Sequence, residues 1–139
     1  MSDSETLVFD TEPLLAFLWE EEEGSDTVEE KLRMVKSDAQ SYLSSVTLTE
    51  VFYHIANSSS TQSAKNAVQR LKSYGFTIIH SNETWQQAGK IKHKHSPALG
   101  DSYAVATAAH VDGTLIVGAD DDFDPITEVS IERFRADPV

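Results

Sequence analysis

Residues 101–110 read Asp101-Ser102-Tyr103-Ala104-Val105-Ala106-Thr107-Ala108-Ala109-His110, and the chain runs on through Asp112-Gly113 into Thr114-Leu115-Ile116-Val117. The first ten predict an alanine-rich helix, opened by an acid and stopped by the Asp-Gly pair. The last four are a continuous apolar run too short for a helix, which is how a strand buried on both faces reads. Leu7-Val8-Phe9 is a second such run, and Phe76-Thr77-Ile78-Ile79 a third, rich in β-branched residues. A short strand is expected around Ser45-Val46 and a last one at Val129-Ser130-Ile131. Between them the pattern is helical. Thr11 to about Glu20 carries Leu14, Leu15, Phe17 and Leu18 at helical spacing. Asp26 with Glu29 opens a helix to about Tyr42, and Thr47 with Glu50 opens another to about Asn57. Thr61 to Tyr74 ends at Gly75, and Ser81 caps a helix through about His93. Alternating strands and helices predict a three-layer α/β/α sandwich around a central parallel sheet of four to five strands. One domain, residues 1–139, accounts for the chain.

The bulk numbers bound the function. With 139 residues and 40% hydrophobic content the chain can bury a real core. It has no cysteine, which excludes disulfides and thiolate zinc sites and fits a cytoplasmic location. No apolar run reaches the ~20 residues of a membrane helix, and Met1-Ser2-Asp3-Ser4-Glu5 lacks the basic start of a secretory signal. Acids outnumber bases 23 to 11, a formal net charge of -12. Taken alone, that argues against a nucleic-acid partner. Acids spread along the whole chain and scarce lysine also fit a halophilic protein, whose self-repulsion is screened by salt.

Four acids fall where a strand ends or a helix begins. Asp10 follows Leu7-Val8-Phe9, Glu50 lies just beyond Val46, Asp101 opens the alanine-rich helix, and Asp120 follows Val117-Gly118-Ala119. Ligands of open parallel sheets bind beyond the carboxyl ends of the strands. Two carboxylates ~4 Å apart repel by ~4 kcal/mol at an effective dielectric of ~20. Such a group protonates or splays unless a hard divalent cation, Mg2+ or Mn2+, sits among its oxygens. Each acid also has a plainer explanation: Asp10 as a helix cap, Glu50 as the partner of Thr47, Asp101 as an acid favoured by the helix dipole, and Asp120 to Asp124 as a solvated turn.

The joint pattern is more specific. Val8-Phe9-Asp10-Thr11, Leu48-Thr49-Glu50-Val51, Leu99-Gly100-Asp101 with the following Ala/Thr-rich helix, and Leu115 to Phe123 with Asp120-Asp121-Asp122-Phe123 resemble, in order, the four motifs of PIN domains. VapC-like toxins are the most similar subgroup. The resemblance covers nearly the full chain and implies a metal-dependent endoribonuclease that hydrolyses RNA phosphodiester bonds. It implies Asp10, Glu50, Asp101 and Asp120 as metal-site acids, with Asp122 as a fifth. It implies hydroxyls at Thr11 and Thr107 that orient water or carboxylates, an antitoxin partner, and a homodimer. Two positions depart from the pattern. Glu12 stands where a small polar residue is usual, adding charge near the site or pointing away. Gly118-Ala119 replaces a hydroxyl and polar pair. These departures leave room for a catalytically silent PIN fold acting as a binding or assembly module, and the same acidic edge would also suit a phosphatase for small phosphoesters.

Other features carry less. Lys90, Lys92, His93, Lys94 and His95 form a basic cluster before Asp101, read either as phosphate guidance for RNA (tRNA or rRNA) or as a solvated helix face. The histidine pair lacks a third ligand at zinc spacing. Lys65 and Lys72 share a helix face. Phe17, Trp19 and Trp85 are candidates for core or for a partner groove.

Overall fold

A computed structural model of the chain describes residues 5–19, 26, 28–30, 32–33 and 40–134. Its strands are β1 (Thr6–Phe9), β2 (Gln40–Ser44), β3 (Thr77–Ile79), β4 (Thr114–Val117) and β5 (Ser130–Arg133). Its named helices are α1 (Thr11–Leu18), α2 (Ser45–Ser58), α3 (Thr61–Lys72), α4 (Ser81–His95) and α5 (Leu99–Val111), with a short 3-10 turn at Asp121–Phe123. Residues 26, 28–30 and 32–33 are helical as well. All four strand pairings are parallel, in the order β3-β2-β1-β4-β5.

The pleat sorts the side chains of β1 into two layers. Leu7 and Phe9 point with Leu43 and Ile116 into a core completed by α1, α2, α3 and residues Val28 and Leu32. Val8 points the other way, with Leu115 and Val117, against Ile91 of α4 and Ala104, Val105 and Ala108 of α5. This is the expected α/β/α sandwich. Helix α5 is buried on nearly all sides, from Gly100 through Ala108, which is why it is built from small residues.

Several boundaries move. The second strand is Gln40–Ser44, not Ser45-Val46, and Ser45 and Val46 already belong to α2. Ser44, whose hydroxyl accepts from the Val46 amide at 3.1 Å, is the cap of α2. Thr47 is therefore an interior, buried residue and no capping box exists with Glu50. The expected helix to Tyr42 stops earlier, since Tyr42 lies in β2. His80, not Ser81, occupies the cap position of α4, and α4 runs on to His95.

A candidate metal centre at the switch point

The chain builds β1, β2 and β3 outward in one direction and then crosses to β4 and β5 on the other side of β1. The crevice at such a reversal, beyond the strand ends, is where sheets of this kind bind ligands. Here it is a cleft of ≈ 230 Å³ lined by Asp10, Thr11, Glu12, Leu15, Trp19, Glu50, His54, Asp101 and Asp120.

Asp10 leaves β1 at the cleft floor, its amide bonded to the Ile116 carbonyl of β4 at 2.9 Å. It occupies the cap position of α1, but its side chain makes no capping bond. It is 5% exposed, and its Oδ1 is buried without a hydrogen-bond partner. Burial pushes its carboxyl up to about 7, against the opposing pull of the Thr11 amide, and the charges of Glu50, Glu12 and Asp120 add to the rise. Asp101, in the first turn of α5, is pushed up to about 9 by burial and then by Asp10, Asp120, Asp122 and Glu50; its Oδ2 is likewise without a partner.

Glu50 faces the cleft from α2, and the Thr11 hydroxyl donates to its Oε1 at 2.8 Å. Gly100 allows this placement, because a Cβ there would strike the Glu50 carboxylate. On the far side, the Asp122 amide donates to Asp120 Oδ1 at 2.9 Å, and the Ala98 amide at the start of α5 donates to Asp122 Oδ2 at 3.1 Å. Asp101, Asp120 and Asp122 each offer a carboxylate oxygen, all within 4.8 Å of one another. Arg133 of β5 fastens the acidic turn from behind. Its Nη1 donates to the carbonyls of Gly118 (2.6 Å) and Asp120 (3.2 Å), and its Nη2 pairs with Asp124 at 2.6 Å.

The four acids, two at strand ends and two on helices, thus share one cleft, with Asp122 beside Asp101 and Asp120. Two orphaned buried carboxylate oxygens in an all-oxygen donor set fit a hard divalent cation, which would stabilise the ionised forms that burial and mutual repulsion oppose. Thr107 is not among the residues lining the cleft; its buried hydroxyl donates to the Tyr103 carbonyl of its own helix at 2.8 Å. Glu12 turns toward the cleft rather than away, with its carboxylate lying over Gly118. Lys90, Lys92 and Lys94 are exposed on α4, and among the described residues they do not line the cleft. Lys92 donates to the Pro97 carbonyl at 2.8 Å, Lys94 lies 3.6 Å from Glu128, and His95 bonds Glu128 at 3.0 Å. Phe17 is core, edge-on to Tyr74 and beneath the Arg70 guanidinium, whereas Trp85 is 60% exposed.

Besides Glu12 and Leu15, two lining residues outside the sequence motifs, His54 and Trp19, carry rings that a ligand could meet. His54 sits one helical turn after Glu50, and that spacing was its only signal. Trp19, at the end of α1, presents its ring at the cleft mouth, 44% exposed.

The chain is thus an α/β protein with a parallel sheet and an acidic crevice at its switch point, where sheets of this kind bind their ligands. The PIN domain model matches residues 7–129, and the chain belongs to the PIN-domain family. Solved structures share its fold. The VapBC2 complex from Rickettsia felis, bound to a promoter DNA fragment, superposes with a TM-score of 0.75 at 16% identity, over 92% of this chain and 98% of that one. The DNA-bound VapBC of Salmonella typhimurium gives 0.76 at 16% identity, over 94% and 98%. A toxin–antitoxin complex from Klebsiella pneumoniae gives 0.68 at 22% identity, over 88% and 94%. No curated protein matches the chain. No described helix is long and apolar enough to cross a membrane.

Proposed function

We propose that this protein is a VapC-like toxin, a metal-dependent endoribonuclease that hydrolyses RNA phosphodiester bonds. The observation that carries the proposal is the convergence of Asp10, Glu50, Asp101 and Asp120 on one cleft, with buried oxygens of Asp10 and Asp101 left without partners. A bound Mg2+ or Mn2+ would supply polarisation of the scissile phosphate and activation of water. Asp10, Asp101 and Asp120 would hold the cation, and Asp122 would add an oxygen while its amide fixes Asp120 through the turn. Glu50, steered by Thr11, orients the attacking water and takes up its proton. Trp19 offers a face on which a base can stack. The exposed Lys90, Lys92 and Lys94 give the otherwise acidic molecule a positive flank for RNA phosphates.

An antitoxin partner belongs to the same proposal, supported by the toxin–antitoxin complexes among the structural neighbours; a homodimer is proposed with it on the family resemblance alone. The test is cleavage of total RNA with Mg2+ or Mn2+ by wild type, Asp10→Asn and Asp101→Asn. Cleavage by wild type alone supports the proposal; equal cleavage by all three rejects it.

A further inference from the structure

Trp19 is a wall shared by two hollows. One is the acidic cleft. The other, of ≈ 340 Å³, lies among α1, α2 and α3, lined by apolar Leu18, Ile55 and Ala67 and by polar Ser63, Asn66 and Arg70. Helix α2 serves both, with Glu50 and His54 on the cleft and Ile55 on the second hollow. On α3, positions 63, 66, 67 and 70 recur at the spacing of one helix face.

The polar lining of the second hollow is rich in donors. The Gln62 amide donates to Asn66 Oδ1 at 3.1 Å, which leaves the Asn66 NH2 as the end that meets a ligand. The Arg70 guanidinium lies over the Phe17 ring at 4.7 Å, a contact that engages its face and leaves its N–H edge. Among the described residues no carboxylate pairs with it. Arg70 is also the only lysine or arginine lining either hollow, in a chain of formal net charge -12. A peptide backbone brings one donor for every acceptor, whereas a phosphate brings acceptors only. Donors beside apolar walls and an exposed indole therefore suit a nucleotide better than a peptide.

We propose that this hollow is a second RNA subsite, holding the nucleotide next to the one at the metal centre. Its base packs against Trp19 beside Leu18, Ile55 and Ala67, and its phosphate is bound by Arg70 and Asn66. The inference rests on the RNA-cleaving reading above. It makes single-stranded RNA the form of the substrate, because a paired base could not enter the hollow.

The test uses the full chain with Asp101→Asn to stop cleavage and Trp85→Phe to leave Trp19 as its single tryptophan. A short single-stranded oligoribonucleotide should quench Trp19 emission on titration. Arg70→Gln should weaken binding roughly tenfold. It should also lower the slope of log affinity against log salt by about 0.7, the loss of one phosphate contact on a single strand. Asn66→Asp, at an exposed helix position, should weaken binding similarly by setting a carboxylate against the phosphate, and it keeps the test intact should Arg70→Gln loosen Phe17. Lys65→Gln removes one positive charge from the same helix outside the hollow and should leave the salt slope unchanged. The proposal is overturned if Arg70→Gln and Asn66→Asp bind the RNA like their parent, which would leave the hollow to a peptide partner. It is overturned as well if Lys65→Gln costs as much as Arg70→Gln, since the effect would then be one of net charge. If the parent itself binds no RNA, the RNA-cleaving reading is rejected and the subsite with it.

Discussion

The Thr11 hydroxyl donates to the Glu50 carboxylate at 2.8 Å, joining the first residue of α1 to α2 across 39 positions of chain. Glu50 lies among groups that repel it, so this bond fixes its direction. Charge-assisted hydrogen bonds of this kind contribute ~1.5–3 kcal/mol. Thr11→Val keeps the shape and deletes the donor. It should lower RNA cleavage roughly tenfold or more, while Thr11→Ser retains most of it. Initial rates on one RNA at fixed Mn2+ measure the difference, and a fully active Thr11→Val protein would show that Glu50 needs no such guide.

The metal-free centre makes stability depend on pH with a definite sign. Asp10 and Asp101 are raised to about 7 and about 9, whereas in an unfolded chain such groups titrate near ~4. Between these limits the folded protein holds more protons than the unfolded chain. Their contribution is thus complete below pH ~4 and is lost as pH rises through the folded values. In chelator at constant salt, the wild-type Tm should fall more steeply from pH 5 to pH 9 than that of Asp101→Asn, by roughly 5 °C. Saturating Mn2+ should flatten the wild-type curve. Parallel curves for the two proteins would contradict this.

Gly100 permits the close approach of Glu50 to the start of α5. In Gly100→Ala the obstructed atoms are the end of a flexible side chain, so the fold can accommodate the methyl by turning Glu50 aside. Activity should therefore drop about a hundredfold, because a displaced catalytic group is costly, while Tm changes by only a few degrees. Circular dichroism melts and cleavage rates on the same preparation separate the two. A matching collapse of Tm would mean that the glycine serves packing instead.

Arg133 holds the acidic turn by three bonds from its guanidinium, two of them to backbone carbonyls. Arg133→Met should destabilise the protein by ~1–3 kcal/mol and weaken Mn2+ binding by loosening Asp120. Arg133→Lys should recover only part of this, since an ammonium lacks the planar fork. Urea titration and calorimetry give the two numbers, and unchanged Mn2+ affinity in Arg133→Met would separate the clamp from the centre.

What the sequence reveals follows burial. Leu7-Val8-Phe9 and Leu115-Ile116-Val117 are legible because a strand covered on both faces must be apolar throughout. The strand Gln40-Ser41-Tyr42-Leu43-Ser44 is not legible: its buried positions include Ser41 and Ser44, and its place is set by pairing with β1, a relation no local pattern records. The misplaced strand led to the misreading of Thr47 as a cap. Asp10, Asp101 and Asp120 are legible because each is locked to a strand end or helix start. The direction of Glu12 is not, since it depends on what residue 118 lacks. Nor is the bond of Thr107 to its own helix, because a threonine in a helix can turn its hydroxyl to the preceding backbone or away from it.

In the sheet order, β1 lies beside β4, with Leu7 opposite Thr114 and Phe9 opposite Ile116. During synthesis the first three strands therefore emerge without the neighbour that closes the crevice. Asp10 meets Asp120 only after more than a hundred further residues have been added. A nascent chain therefore cannot assemble this crevice until β4 has been made and has paired with β1.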